Sequence, residues 1–245
     1  MVFIHKMGVR FSHGLQIYNM GKLWCFGDSF TAGQGCRPGE EYFELYPNSG
    51  QKIWTTLLAE KLSLEEMNLG IPGNSNPYIF KQVIENLKQI SEDDTVILSD
   101  TLPFRSVLYN REVKNITPIT SDIILQPENN PNGQPFVERF FKEKKDKMVL
   151  IDYLHTFKLP YHESWTEYYF SQFLDLQAHL LKLNTQVYFW SHKIWKAPSR
   201  FEVIVNATNR KINDGHWSWK GHKDFSNYLI ERIKKQEYLH NPALI

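Results

Sequence analysis

The sequence predicts an α/β fold, a parallel sheet with helices on both faces, built as one domain. Two patterns predict it. Short apolar runs of strand length alternate with longer segments whose apolar residues recur every three or four positions. Three conspicuous polar motifs, Gly27-Asp28-Ser29, Gly70 to Asn74 and Ser99-Asp100-Thr101, each fall just after a strand candidate. In open parallel sheets that is the edge where ligands gather. A length of 245 residues suits one medium domain better than two.

Residues 1–21 read as an irregular N-terminal arm and 22–245 as the domain. Leu23-Trp24-Cys25-Phe26 is a continuous apolar run closed by Gly27, the pattern of a buried strand. A glycine-rich loop follows, from Gly33 to Gly39. Ile53, Trp54, Leu57, Leu58 and Leu62 place an amphipathic helix over 51–62. Met67-Asn68-Leu69 is a short strand candidate before the turn Gly70-Ile71-Pro72-Gly73. Tyr78, Val83, Ile84, Leu87 and Ile90 mark a second helix, and Thr95-Val96-Ile97-Leu98 is a β-branched strand. Residues 103–150 form an irregular insertion, with turns at Pro118, Pro127, Pro131 and Asn132-Gly133. Trp165, Tyr169, Phe173, Leu176, Leu180 and Leu183 predict a long helix over 163–183. Gln186 to Trp190 reads as a strand, Phe201 to Val205 as a candidate last strand, and 222–236 as the closing helix.

Composition narrows the function classes. With 28 basic and 27 acidic residues, no global field points to nucleic acid or an anionic membrane. The basic stretch at 142–147 is broken by acids and reads as a solvated helix end or loop. Two cysteines, Cys25 and Cys36, make no disulfide framework and have no zinc-ligand spacing. Cys25 is expected in the core and Cys36 as a free thiol. No run reaches the ~18 apolar residues of a membrane span, and residues 1–20 lack the apolar core and cleavage site of a signal peptide. The expected location is cytoplasmic or virion-associated. Aromatic residues, 14% of the chain, suit a core rich in large rings or a sugar-stacking surface.

The chemistry lies in three separated pieces. Ser29, in Gly27-Asp28-Ser29-Phe30-Thr31-Ala32-Gly33, stands just past a buried strand, where a serine can serve as an exposed nucleophile. It needs a base and an orienting group. Asp214-Gly215-His216, before the last helix, can supply both. The turn Asn68-Leu69-Gly70-Ile71-Pro72-Gly73-Asn74-Ser75 can aim backbone N–H groups at an oxyanion. Each piece alone also has an ordinary structural reading, as a cap, a loop or a turn.

Together and in this order the pieces resemble the SGNH (GDSL-type) hydrolases. The first block of that family matches Gly27 to Gly33. Its second block maps onto Asn68 and Gly73. Its last block maps onto His216 with Gly221 five residues on. The resemblance implies a three-layer α/β/α sandwich, flavodoxin-like, with about five parallel strands. It implies a serine esterase without metal or organic cofactor, acting on short-chain esters such as O-acetyl groups of carbohydrates. Ser29 would be the nucleophile, His216 the base and Asp214 the orienter, with an oxyanion hole from Ser29, Gly73 and Thr101. Trp217 and Arg105 are the candidate substrate-binding residues. His222 is expected to cap or pack the last helix, and Asp28 to organise its loop. The expected partner is a small-molecule or carbohydrate ester.

Two departures matter. The family's Asp-x-x-His is Asp214-Gly215-His216 here, one residue shorter. The asparagine of its third block is missing from Ser99-Asp100-Thr101-Leu102-Pro103, so Thr101 is the candidate replacement donor. Loss of one oxyanion donor typically costs ~10²–10³ in turnover. These departures favour a competing expectation, a catalytically weak or inactive binding or structural module on the same fold, such as a viral particle component. The intact Gly27-Asp28-Ser29 and His216 oppose it. O-acetyl transfer to a sugar would use the same residues as hydrolysis.

Overall fold

The computed structural model describes residues 21–46, 50–102, 105–110, 115–119, 162–183, 185–190, 201–202, 204 and 215–235. Its elements, in chain order, are β1 (Lys22–Phe26), α1 (Ser29–Ala32), α2 (Glu41–Glu44), α3 (Trp54–Leu62), β2 (Glu65–Asn68), α4 (Asn76–Asn86), β3 (Thr95–Ser99), β4 (Ser106–Asn110), β5 (Asn115–Ile119), α5 (His162–Lys182), β6 (Gln186–Trp190) and α6 (Trp219–Lys234). Four strands form one sheet in the order β2-β1-β3-β6. All three pairings are parallel, with Trp24 opposite both Met67 and Val96, and Ile97 opposite Tyr188. The resemblance implies about five strands; four belong to this sheet among the described residues.

The alternation of side chains across the strands divides the core into two layers. Leu23, Cys25, Ile97, Tyr188 and Trp190 face α3 and α6, meeting Trp54, Leu58, Phe225 and Leu229. Trp24, Phe26, Val96, Leu98, Val187 and Phe189 face α4 and α5, meeting Ile79, Val83, Phe173 and Leu180. The strands are therefore apolar on both faces, as a doubly covered parallel sheet requires. Stacked rings fill the second layer: Phe173 lies 5.2 Å from Phe189 and 4.5 Å from Phe80. Each fully buried large apolar side chain contributes about 1.5–3 kcal/mol.

The topology also fixes the site. After β1 the chain crosses to β2 on one side, and after β3 it crosses to β6 on the other. The crevice between the carboxyl ends of β1 and β3 is thus the topological switch point, the usual ligand position in this class of sheet. Ser29 follows β1 directly, and Asp100 and Thr101 follow β3.

Of the expected insertion at 103–150, the described part includes an antiparallel hairpin of β4 and β5 outside the main sheet. Pro118, expected in a turn, is inside β5 opposite Val107. The other turn markers, Pro127, Pro131 and Asn132-Gly133, and the basic stretch at 142–147 lie outside the described residues, as does the N-terminal arm up to residue 20. Phe201, Glu202 and Ile204 of the candidate last strand are not in strand conformation. They pair instead with the segment at 216–218: the Ile204 N–H donates to the His216 carbonyl at 2.7 Å, and the Ser218 N–H to the Glu202 carbonyl at 2.9 Å.

Candidate functional site

The loop after β1, which carries the candidate nucleophile Ser29, is built around Asp28, a fully buried carboxylate. Its Oδ1 accepts the Phe30 N–H at 3.0 Å and caps α1. Ser29 therefore opens a helical turn immediately beyond the strand, and Gly33, with φ +72°, closes it. Gly27 is required by space: a Cβ there would lie 2.2 Å from Thr31 Oγ1 and 2.9 Å from Ser99 Cβ. Ser29 is 2% exposed, and its Oγ has no hydrogen-bond partner among the described residues.

The turn after β2 is stitched to this loop. The Ile71 N–H and the Asn74 side-chain amide both donate to the Gly27 carbonyl, at 3.2 and 2.9 Å. Asn68 donates from Nδ2 to the Thr31 carbonyl at 2.9 Å and to Thr55 Oγ1 at 3.1 Å, while its Oδ1 accepts the Gly70 N–H. Gly70 backs onto α1 so closely that a Cβ would sit 2.4 Å from the Ala32 nitrogen. The Asn74 N–H returns to the Ile71 carbonyl at 3.0 Å across Pro72 and Gly73, and Gly73 has φ +72°. Proline followed by a positive-φ glycine is the type II turn pattern.

The loop after β3 joins the same cluster. Asn76 and the Thr101 backbone exchange two hydrogen bonds, Nδ2 to O at 2.9 Å and N–H to Oδ1 at 2.8 Å. The Thr101 hydroxyl donates to Asp28 Oδ2 at 2.7 Å. Its one proton is engaged there, and in this arrangement Thr101, the candidate oxyanion donor, braces Asp28. Arg105 Nη1 donates to Asp28 Oδ2 at 2.9 Å and to Thr101 Oγ1 at 2.7 Å, with the Asn74 carbonyl at 3.4 Å. Through this nitrogen Arg105, a candidate substrate-binding residue, forms an internal ion pair with Asp28.

His216 is brought to the same side of the sheet. Its backbone is fixed by the bond from Ile204, and its ring lies 5.1 Å from the ring of Phe30, the residue after Ser29. Gly215, with φ +69°, supplies the left-handed residue that turns the chain into it. No hydrogen bond joins Ser29 Oγ to His216. Asp214 lies outside the described residues. Trp217 is fully buried, 4.9 Å from Phe30 and 4.6 Å from Phe225. This candidate substrate-binding residue lies within the core layer of α3 and α6.

Behind the site, Ser218 caps α6 by accepting the Gly221 N–H at 3.2 Å and donates to Glu202 at 2.6 Å. Gly221 allows the 201–204 segment to approach, since a Cβ would meet the Glu202 carbonyl at 2.2 Å. His222 is buried and accepts the Trp54 N–H at Nδ1, at 3.4 Å. Burial, with a smaller contribution from nearby His216, pulls its imidazole down to about 3, so it is neutral at physiological pH. Cys25 and Cys36 are both buried, and the Cys36 thiol donates to the Trp217 carbonyl at 3.4 Å.

Sequence reasoning gives no role to Asn74 and Asn76 at this edge, nor to Asp94 at the opposite, amino ends of β1 and β3. Asn74 and Asn76 are both buried: Asn74 donates to the Gly27 carbonyl and to Gln82 Oε1 and accepts the Ser75 N–H, and Asn76 bonds the Thr101 backbone. Asp94 accepts from the Lys22 N–H, the Trp24 indole and the Ser91 N–H, at 2.7, 2.8 and 2.9 Å. Burial raises its pKa, but these bonds outweigh that and hold it below the ordinary carboxylate value.

No family model matches the chain, and no curated protein does. Among solved structures, a member of the lipolytic protein G-D-S-L family from Veillonella parvula aligns over 87% of this chain and 98% of its own, at 14% identity and a TM-score of 0.38. A catalytic mutant of Axe2, an acetylxylan esterase from Geobacillus stearothermophilus, aligns over 87% of this chain and 94% of its own, at 14% identity and a TM-score of 0.35. Similarity this low decides nothing about chemistry, which rests on the residues themselves. Among the described residues no helix is long and apolar enough to cross a membrane.

Proposed function

We propose that the protein is a serine hydrolase of short-chain carboxylic esters. One observation carries the reading. Ser29 opens a helical turn at the switch point of the sheet, its Oγ unengaged among the described residues, with the His216 ring packed 5.1 Å from its neighbour Phe30. In the reaction, Ser29 Oγ attacks the ester carbonyl carbon and gives its proton to the His216 imidazole. The N–H groups of Ser29 and Gly73 receive the oxyanion; the first N–H of a helix has no acceptor inside it. The alcohol leaves with the proton from His216. Water then attacks the acyl-enzyme with His216 again as base, releasing the acid and restoring Ser29. Asp214 orients the imidazole.

Carbohydrate O-acetyl groups are the substrate class proposed first. With Trp217 in the core, any sugar platform must come from other residues. The test is turnover of 4-nitrophenyl acetate and of acetylated xylan by wild type, Ser29→Ala and His216→Ala. Each variant is expected to lose about 10³-fold or more in kcat. Wild-type turnover that survives Ser29→Ala would end the proposal.

A binding module on the same fold is the second reading, favoured by the missing bond between Ser29 Oγ and His216. Catalytic hydrogen bonds often tighten only once substrate is bound. A folded wild type that turns over neither ester and binds acetylated xylan would favour the module.

A further inference from the structure

Arg105 Nη1 stands at a junction. Its three acceptors, Asp28 Oδ2, Thr101 Oγ1 and the Asn74 carbonyl, belong to three different loops. They follow β1, β3 and β2, the loops that hold the nucleophile and the oxyanion donors. Asp28 is fully buried and Arg105 is 14% exposed at the side chain. A carboxylate so enclosed needs a cation and hydrogen bonds to be held in its charged form. Asp28 spends its other oxygen on the Phe30 N–H, one residue beyond Ser29, so displacement of the carboxylate displaces the start of α1. Asn74 in turn donates to the Gly27 carbonyl, closing the circuit on the other side of the nucleophile.

We propose that Arg105 is the positioning residue of this site. It clamps the three loops so that Ser29 Oγ and the N–H groups of Ser29 and Gly73 converge, and it does not bind the substrate. The inference rests on the serine-hydrolase reading and deepens it. It also gives the loop after β3 a function in a chain without the asparagine of the third block. Thr101 is held as a brace between Asp28 and Arg105, so the loop contributes placement in place of a donor.

The test is the rate of inactivation by a fluorophosphonate, separated into a binding constant KI and a chemical rate kinact. A misplacement on the order of 1 Å costs roughly 10²-fold in rate. Arg105→Ala is expected to lower kinact by about that factor with KI unchanged, and added guanidinium ion to restore part of the loss. Arg105→Lys should fall between the two. If Arg105→Ala does not fold, the double variant Asp28→Asn with Arg105→Gln removes the buried charge and its counter-charge together. It is expected to fold with kinact still depressed. A raised KI at wild-type kinact, or a double variant as fast as wild type, would overturn the clamp and leave the hydrolase standing. A folded wild type that does not react overturns both.

Discussion

His222 is the residue whose chemistry is most constrained. An Nδ1 that accepts the Trp54 N–H leaves the ring proton on Nε2, and Nε2 is buried with no partner among the described residues. Burial first, and His216 second, bring its pKa from 6.5 to about 3. The sign follows from linkage. Between those values the unfolded chain binds a proton that the folded chain refuses. This contribution is therefore fully retained above pH 6.5 and lost progressively as pH falls toward 3, at about 1.4 kcal/mol per pH unit. Denaturant unfolding across that range should show a shallower acid loss for His222→Gln than for wild type. Equal slopes would mean that His222 titrates normally. Asn68 makes a second residue-scale case. Asn68→Ala strips bonds from the Thr31 carbonyl, Thr55 Oγ1 and the Gly70 N–H. It should cost about 1–3 kcal/mol in a urea melt and slow labelling of Ser29.

At the scale of elements, the site depends on close approaches that only glycine permits. Gly221→Ala puts a Cβ 2.2 Å from the Glu202 carbonyl and must push the 201–204 segment away from α6, and with it the backbone bond that fixes His216. Strain of this kind costs typically 1–3 kcal/mol. Thermal unfolding should show the loss, and activity should fall further than stability alone explains. Several elements were legible because their burial leaves a pattern. The runs Leu23–Phe26 and Thr95–Leu98 are apolar because both faces of the sheet are covered. The apolar pattern starts β2 only at Met67, because it is an edge strand among the described residues and begins with Glu65 and Glu66, paired to Lys22 and Leu23. The apolar spacing of the second helix runs on to Ile90, whereas α4 ends at Asn86. The sequence pattern starts the closing helix at residue 222, whereas Ser218 caps α6 and Trp219 begins it, the cap being obscured by flanking tryptophans. The sequence at 201–205 has strand-like composition, but Glu202 and Ile204 bond the backbone at 216–218, a choice made by tertiary contact that composition does not encode.

For the whole molecule, the sheet order places the loops after β1, β2 and β3 at one edge, and this much followed from motifs that each trail a strand. The wiring between those loops did not. Asp28 meets Thr101 and Arg105 across separations of 73 and 77 residues, and Asn76 meets Thr101 across 25. Side-chain bonds at such distances leave no periodic or local signature. Nor does its position after His216 decide whether Trp217 packs or binds; the fold encloses it in the core. The central claim is that Ser29 is an activated nucleophile. It is tested most directly by mass mapping of the intact protein after exposure to a fluorophosphonate. The account predicts a single adduct on Ser29, absent from Ser29→Ala and strongly slowed in His216→Ala. A folded wild-type protein that carries no adduct, or an adduct retained by Ser29→Ala, would contradict it.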